Sequence, residues 1–289
     1  MEQQKLPLFM IGLSTPFFVP QGLSSRIVWF INGIPEEKIM HNNSISVHLR
    51  AWMSWSLLKF FSKPNLIVTV STRMGDFVKS KFPNIPYFAA PTCVDHSIFK
   101  RDEKRGRKYL TYLGSGAPWQ NLNILSGIWQ EIHKLEPTVK FRVISRDSRT
   151  RILADGIDKN QIEFLGSEDF EEIAEFLSES LIGFLIREDN LVNRVSYPTK
   201  LAEYLASGSW VVASDMDWDI ADLIKKYEVG LLVNPKSKPS SIALEILQKI
   251  KARIDNENFF HNNSLALKEL EKGFWIGKFH LALNEMGFG

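Results

Sequence analysis

The sequence predicts an α/β protein of parallel sheets with helices on both faces, divided into two units. From Lys108 onward, short β-branched or aromatic runs alternate regularly with amphipathic helical stretches, the pattern of strands joined by helical crossovers. A smaller set of similar runs lies before residue 100, and the charged, glycine-containing "KRDEKRGRK" (Lys100 to Lys108) between the sets has the composition of an exposed linker. A chain of 289 residues with 44% hydrophobic content can bury a core in each unit, which excludes disorder.

Taken in order, "LPLFMIGL" (Leu6 to Leu13) is far short of the roughly 20 residues a spanning helix needs. No small-residue cleavage signature follows it, so it reads as a buried strand. "RIVWFIN" (Arg26 to Asn32), "NLIVTVS" (Asn65 to Ser71) and "PYFAAP" (Pro86 to Pro91) are three more strands of the first unit. The second unit has "KYLTYLG" from Lys108, "VKFRVIS" from Val139, "IEFLG" from Ile162, "LIGFLI" from Leu181, "SWVVAS" from Ser209 and "VGLLV" from Val229. The end of the chain from Asn262 is helix-like, broken by Gly273 and Gly277, and is predicted to pack back on the first unit. The expected division is 1–99, a linker at 100–107, a second domain at 108–260 and a helical segment at 261–289.

Charge narrows the partners. The 35 basic and 33 acidic residues leave a net charge of +2, too little for a broad field drawing nucleic acid or an anionic bilayer. The interrupted linker run, lacking interleaved aromatics, does not read as a nucleic-acid patch. The lone Cys93 rules out an intramolecular disulfide and fits a reducing compartment, so the expected location is cytoplasmic. The N-x-S matches at Asn42 and Asn262 then carry no glycosylation meaning.

"SYPTKLAEYLASGSWVVAS" (Ser196 to Ser214) holds the candidate site. Pro198 suits the first turn of a helix and Gly208 the left-handed residue behind it. Ser196, Thr199, Lys200 and Glu203 share the i, i+3, i+4, i+7 face of a helix of about three turns, with Leu201, Ala202, Leu205 and Ala206 turned to the sheet. Following a strand, this helix should open at the carboxyl edge of the sheet, where doubly wound folds bind ligands. Free N–H groups and Lys200 suit a phosphate there, and Glu203, one turn deeper, can accept hydrogen bonds from vicinal sugar hydroxyls. The alternative is a solvated face in which Ser196 and Thr199 cap the helix and Lys200 pairs with Glu203.

The same stretch, followed by "VGLLVNP" (Val229 to Pro235), resembles the donor-binding segment of family 4 glycosyltransferases, whose GT-B architecture is two Rossmann-like domains with a cleft between them. "NLIVTVSTRM" (from Asn65), "PTCVDHSIF" (from Pro91) and "FINGIPEE" (from Phe30) resemble three further stretches of that family, in the expected order.

The resemblance implies a retaining transfer from a nucleotide-diphosphate sugar to a glycan or lipid-linked acceptor, in cell-surface polysaccharide assembly, without a metal or other cofactor. Glu203 matches the family's ribose-binding glutamate, Ser196, Pro198 and Thr199 match the turn at the diphosphate, and Lys200 would neutralise the leaving pyrophosphate. The family's other glutamate falls at Val195, so Arg194 or Asn193 is assigned to the donor sugar. No Lys or Arg occurs in "LGSGAPWQNL" (from Leu113) where a basic pair is expected, so Gly114, Ser115 and Gly116 are assigned part of that contact through backbone N–H groups. Asn32 stands where the family has a histidine. Residues 1–99 are also fewer than the roughly 150 of a full first domain, which is therefore expected to be incomplete. Two other readings stay open: a non-catalytic or truncated nucleotide-sugar-binding protein, and a sugar-nucleotide epimerase.

Other motifs fail their own chemistry. "GSGAPW" (from Gly114) has Trp119 where a dinucleotide fingerprint needs its third glycine. "DMDWDI" (from Asp215) has Ile220 and Lys226 where a calcium loop needs glycine and glutamate, so its aspartates are expected to cap the next helix. His41 and His48 have no third ligand nearby, and no G-x-S-x-G elbow occurs. "VHLRAWMSWSLLKFFSKP" (Val47 to Pro64) mixes Trp52, Trp55, Phe60 and Phe61 with Arg50, Lys59 and Lys63; it reads as a buried helix of the first domain, as one left exposed by the missing strands, or as a peripheral membrane contact.

Overall fold

The computed structural model describes residues 8–13, 27–61, 63–102, 104–253 and 257–287. Arg26, Glu103 and the first two residues of "LPLFMIGL" lie outside them. The chain divides into two compact units, one of Met1–Thr92, Asn190–Tyr197 and Gly273–Gly289, the other of Cys93–Asp189 and Pro198–Lys272.

The first unit contains β1 (Leu8–Ile11), β2 (Ile27–Ile31), α1 (Glu37–His41), α2 (Ile45–Phe61), β3 (Leu66–Thr69), α3 (Thr72–Lys81) and β4 (Tyr87–Ala89). Its four strands form a parallel sheet in the order β1-β2-β3-β4. On one face, the Trp29 ring meets Phe82 at 5.7 Å edge-on, and Phe82 in turn meets Trp55 of α2. The other face, Val28, Leu66 and Val68, is covered by Phe279 and Leu283 from the far end of the chain. β1 departs from the expected buried strand: among the described residues it is an edge strand paired with β2 alone, and Phe9 and Ile11 are exposed.

In the second unit, β5 (Tyr109–Leu113), β6 (Lys140–Ile144), β7 (Ile162–Leu165), β8 (Ser180–Leu185), β9 (Trp210–Ser214) and β10 (Gly230–Val233) form one parallel sheet ordered β10-β9-β8-β5-β6-β7. Between them run α4 (Leu122–Leu135), α5 (Phe170–Ser178), α7 (Lys200–Ala206) and α8 (Asp219–Tyr227); α9 (Pro239–Arg253) and α10 (Glu257–Lys268) follow, and α6 (Leu191–Val195) belongs to the first unit. Adjacent β8 residues face opposite layers, as the pleat requires: Phe184 packs on Trp129 of α4, whereas a Cβ on Gly183 would lie 2.3 Å from the Tyr204 ring of α7. Each predicted strand is present. The C-terminal helices are broken elsewhere than expected, at 269–271 between α10 and α11 (Lys272–Glu285), and Gly273 and Gly277 lie inside α11. Each glycine costs a helix roughly 1 kcal/mol, offset here by Trp275 and Phe279 packing on Phe88.

Candidate functional site

The site is built on α7, whose placement follows from one tyrosine. Tyr204 is fully buried and its hydroxyl accepts the Leu113 N–H at 2.8 Å, while Gly183 leaves room for its ring. This ties α7 to the carboxyl ends of β5 and β8. Gly208 ends the helix at φ +79, the left-handed residue the sequence predicts.

All seven residues of α7 are buried, so the solvated-face reading fails. Lys200 is only 8% exposed; its Nζ donates to Gln120 Oε1 at 2.8 Å and sits 4.8 Å from the Tyr112 ring centroid. Burial, reinforced by the charge of Arg187, holds the ammonium well below its ordinary range, and Glu203 opposes the shift. Glu203 is equally buried, and desolvation pushes its carboxyl up to about 7 against the pull of Lys200. Tyr112 donates its hydroxyl to the Ser115 carbonyl at 2.6 Å, and burial raises it as well. Gly114, at φ +136, presses so close that a Cβ there would lie 2.8 Å from Lys200 Nζ. A lysine, an arginine and a carboxylate removed from water at the carboxyl ends of the strands form a cluster suited to a polar, anionic ligand.

The other predicted site residues divide by unit. Pro198 and Thr199 lead into α7: the Pro198 carbonyl accepts the Leu201 N–H at 3.2 Å, and Thr199 holds the N-cap position without a side-chain bond. Ser196 departs from the expected helix face. It caps α6, its hydroxyl donating to the Asn193 carbonyl at 2.8 Å, because Pro198 breaks the run into two short helices. Arg194, on α6, and Asn32, just beyond β2, are exposed residues of the first unit. The Gly116 N–H does not point to open space: it donates to Asp147 at 2.8 Å, and that carboxylate is held far below its ordinary range by Arg149 and this N–H. Trp218, not an aspartate, occupies the N-cap position of α8, with Asp219 in its first turn, and Asp215 pairs with Lys225 at 3.1 Å. Among the described residues, no group of three or more His, Cys, Asp or Glu could hold a metal ion.

Sequence reasoning missed Gln120, Tyr112 and Arg187. Arg187 had a usable signal, since it directly follows the apolar run "LIGFLI" and so had to lie at a carboxyl strand end. Gln120 gave none; a turn of 3₁₀ helix at Pro118–Gln120 and the left-handed Asn121 carry it to Lys200.

Solved structures similar to this chain are glycosyltransferases of the GT-B class. Sucrose-phosphate synthase from Thermosynechococcus elongatus superposes with a TM-score of 0.76 at 13% identity, over 98% of this chain and 74% of that one. A trehalose-phosphate synthase (UDP-forming) from Burkholderia vietnamiensis gives 0.69 at 13%, over 96% and 74%. The pneumococcal O-GlcNAc transferase GtfA, solved with UDP and GlcNAc, gives 0.62 at 13%, over 90% and 57%. No curated protein matches the sequence. The fold is GT-B. The family profile described as "Glycosyl transferases group 1" matches residues 107–251, half of the chain, and the chain belongs to that family.

Proposed function

We propose that the protein is a retaining glycosyltransferase that moves a sugar from a nucleoside diphosphate donor to a glycan or lipid-linked acceptor in cell-surface polysaccharide assembly. The observation that carries this reading is the buried cluster of Lys200 and Glu203 beside Gly114 at the carboxyl end of the second sheet. As the bond between the anomeric carbon and the diphosphate oxygen breaks, negative charge grows on the leaving group, and a fixed ammonium stabilises that change. Glu203 takes the ribose hydroxyls. Retention is supported by the motif resemblance of residues 30–37 and 196–214; Asn32 and Arg194 are assigned to the sugar end as the residues at and beside the positions where that family has a histidine and a glutamate, and no metal is assigned a role. Incubation with UDP-, GDP- and ADP-linked sugars, a mixed glycan and polyprenyl-phosphate acceptor panel and a chelator, read by product NMR, tests the proposal. An axial donor linkage carried unchanged into the product is expected; inversion, chelator sensitivity or C4 epimerisation without transfer contradicts it.

For the acceptor side, the proposal includes peripheral contact with the inner face of the membrane through α2. Ala51, Trp55 and Leu58 are buried, leaving Ile45, Leu49, Trp52, Met53 and Phe60 exposed beside Arg50 and Lys59. No helix among the described residues is long and apolar enough to cross a membrane. Flotation with phosphatidylglycerol vesicles at low salt should recover the protein with lipid, and Trp52→Glu with Phe60→Glu should release it. Wild-type protein left at the bottom of the gradient would remove membrane contact while leaving the transferase reading intact.

A further inference from the structure

The segment from Gly114 to Gln120 meets Lys200 at both of its ends. Gly114, at φ +136, lies so near that a Cβ on it would stand 2.8 Å from Nζ, and Gln120 Oε1 accepts from the same ammonium at 2.8 Å. Between those ends the segment is tied down twice. The Ser115 carbonyl accepts the Tyr112 hydroxyl at 2.6 Å, and the Gly116 N–H donates to Asp147 Oδ2 at 2.8 Å. The first tie comes from β5, which the segment leaves, and the second from the turn beyond β6.

That turn is rigid. The Asp147 N–H donates to Ser145 Oγ at 3.1 Å, and its carbonyl accepts the N–H and the hydroxyl of Thr150 at 3.0 and 2.7 Å. Asp147 Oδ1 accepts the Arg149 N–H at 3.0 Å and so caps the 3₁₀ helix Ser148–Ala154, which is joined to α4 where the Ser126 hydroxyl donates to the Ile152 carbonyl. Capping uses Oδ1, whereas Oδ2 is turned to Gly116. Arg149 and the Gly116 N–H hold the carboxyl far below its ordinary range, and a bond to an ionised acceptor is roughly twice as strong as a neutral one. The backbones are also in close contact: a Cβ on Gly116 would stand 2.4 Å from Arg149 Cβ, so a side chain there would push the segment off the turn.

We propose that Asp147 is a positioning residue for Lys200, holding the middle of the segment whose two ends close on the ammonium. This rests on reading Lys200 as part of a nucleoside diphosphate site, and the test separates the two. UDP, GDP and ADP are titrated by calorimetry into wild type, Asp147→Ala, Asp147→Asn, Lys200→Ala and the variant carrying both alanines. Asp147→Ala should weaken the preferred diphosphate about tenfold, because binding must then re-order roughly one residue of backbone in the segment. Asp147→Asn, whose amide oxygen still accepts the Gly116 N–H, should recover most of that affinity. In the Lys200→Ala background the loss of Asp147 should cost little, since the segment then has no ammonium to place. A merely structural aspartate would cost the same in both backgrounds, and an equal loss overturns the proposal. Wild-type affinity in Asp147→Ala also overturns it; if Lys200→Ala weakens binding at the same time, the nucleotide site stands without it. If wild type binds no nucleoside diphosphate, or Lys200→Ala binds as wild type does, the site reading falls and this proposal with it. Gly116→Ala replaces Asp147→Ala should that not fold; failure of both to fold makes the contact structural and overturns the proposal.

Discussion

Lys200→Ala is expected to lower turnover by about two to three orders of magnitude, the usual cost of removing one preorganised group from a developing charge. The side chain has a single position available. Gln120 holds its Nζ at 2.8 Å, the Tyr112 ring centroid lies 4.8 Å from it and Gly114 closes on it. The loss should fall mainly on kcat in steady-state assays with the preferred donor, because the diphosphate gains charge only as the glycosidic bond breaks. A KM increase with kcat unchanged would show that Lys200 binds the ground state and the transition state equally well.

Glu203→Gln should change how stability depends on pH. The Glu203 carboxyl is raised from 4.5 to about 7 in the folded protein, so the folded state binds a proton more tightly than the unfolded chain does. Its contribution is then fully present below 4.5 and is lost as pH rises through about 7. A shift of that size corresponds to about 3 kcal/mol between the two ends of the window. Glutamine mimics the protonated form at every pH, so in chemical denaturation the variant should match wild type near pH 4.5 and exceed it by up to about 3 kcal/mol near pH 8. Lys200, whose proton affinity burial depresses, acts with the opposite sign and is coupled to Glu203, so the same comparison in a Lys200→Ala background separates the two groups. Parallel pH profiles for the two proteins would contradict the burial of an ionisable group at this position. The same substitution should weaken nucleotide binding, because an amide replaces one of the two acceptors offered to vicinal hydroxyls.

Strands were the most legible part of the sequence. Runs such as "VKFRVIS" and "SWVVAS" are continuous apolar segments because both faces of a parallel sheet are covered, and each became β6 or β9 at nearly its quoted limits. Helix limits were less so. The candidate helix from Ser196 was read as one element because Ser, Pro and Gly sit at suitable spacings, yet Pro198 separates α6 from a seven-residue α7. Lys200 and Glu203 were found because they share a turn and their chemistry is local. Their partners Gln120, Tyr112 and Arg187 come from three other places in the chain and meet at the strand ends through tertiary packing, which no spacing encodes. The exposure of Phe9 and Ile11 was equally hidden, since an edge strand and a central strand share the same apolar composition.

The central claim, that Lys200 and Glu203 form a nucleoside diphosphate site, is tested most directly by calorimetric titration of UDP, GDP and ADP into wild type, Lys200→Ala and Glu203→Ala. The account predicts that at least one of the three binds wild type and that both substitutions weaken it markedly. Unchanged affinity in both variants, or no binding to wild type, would contradict it.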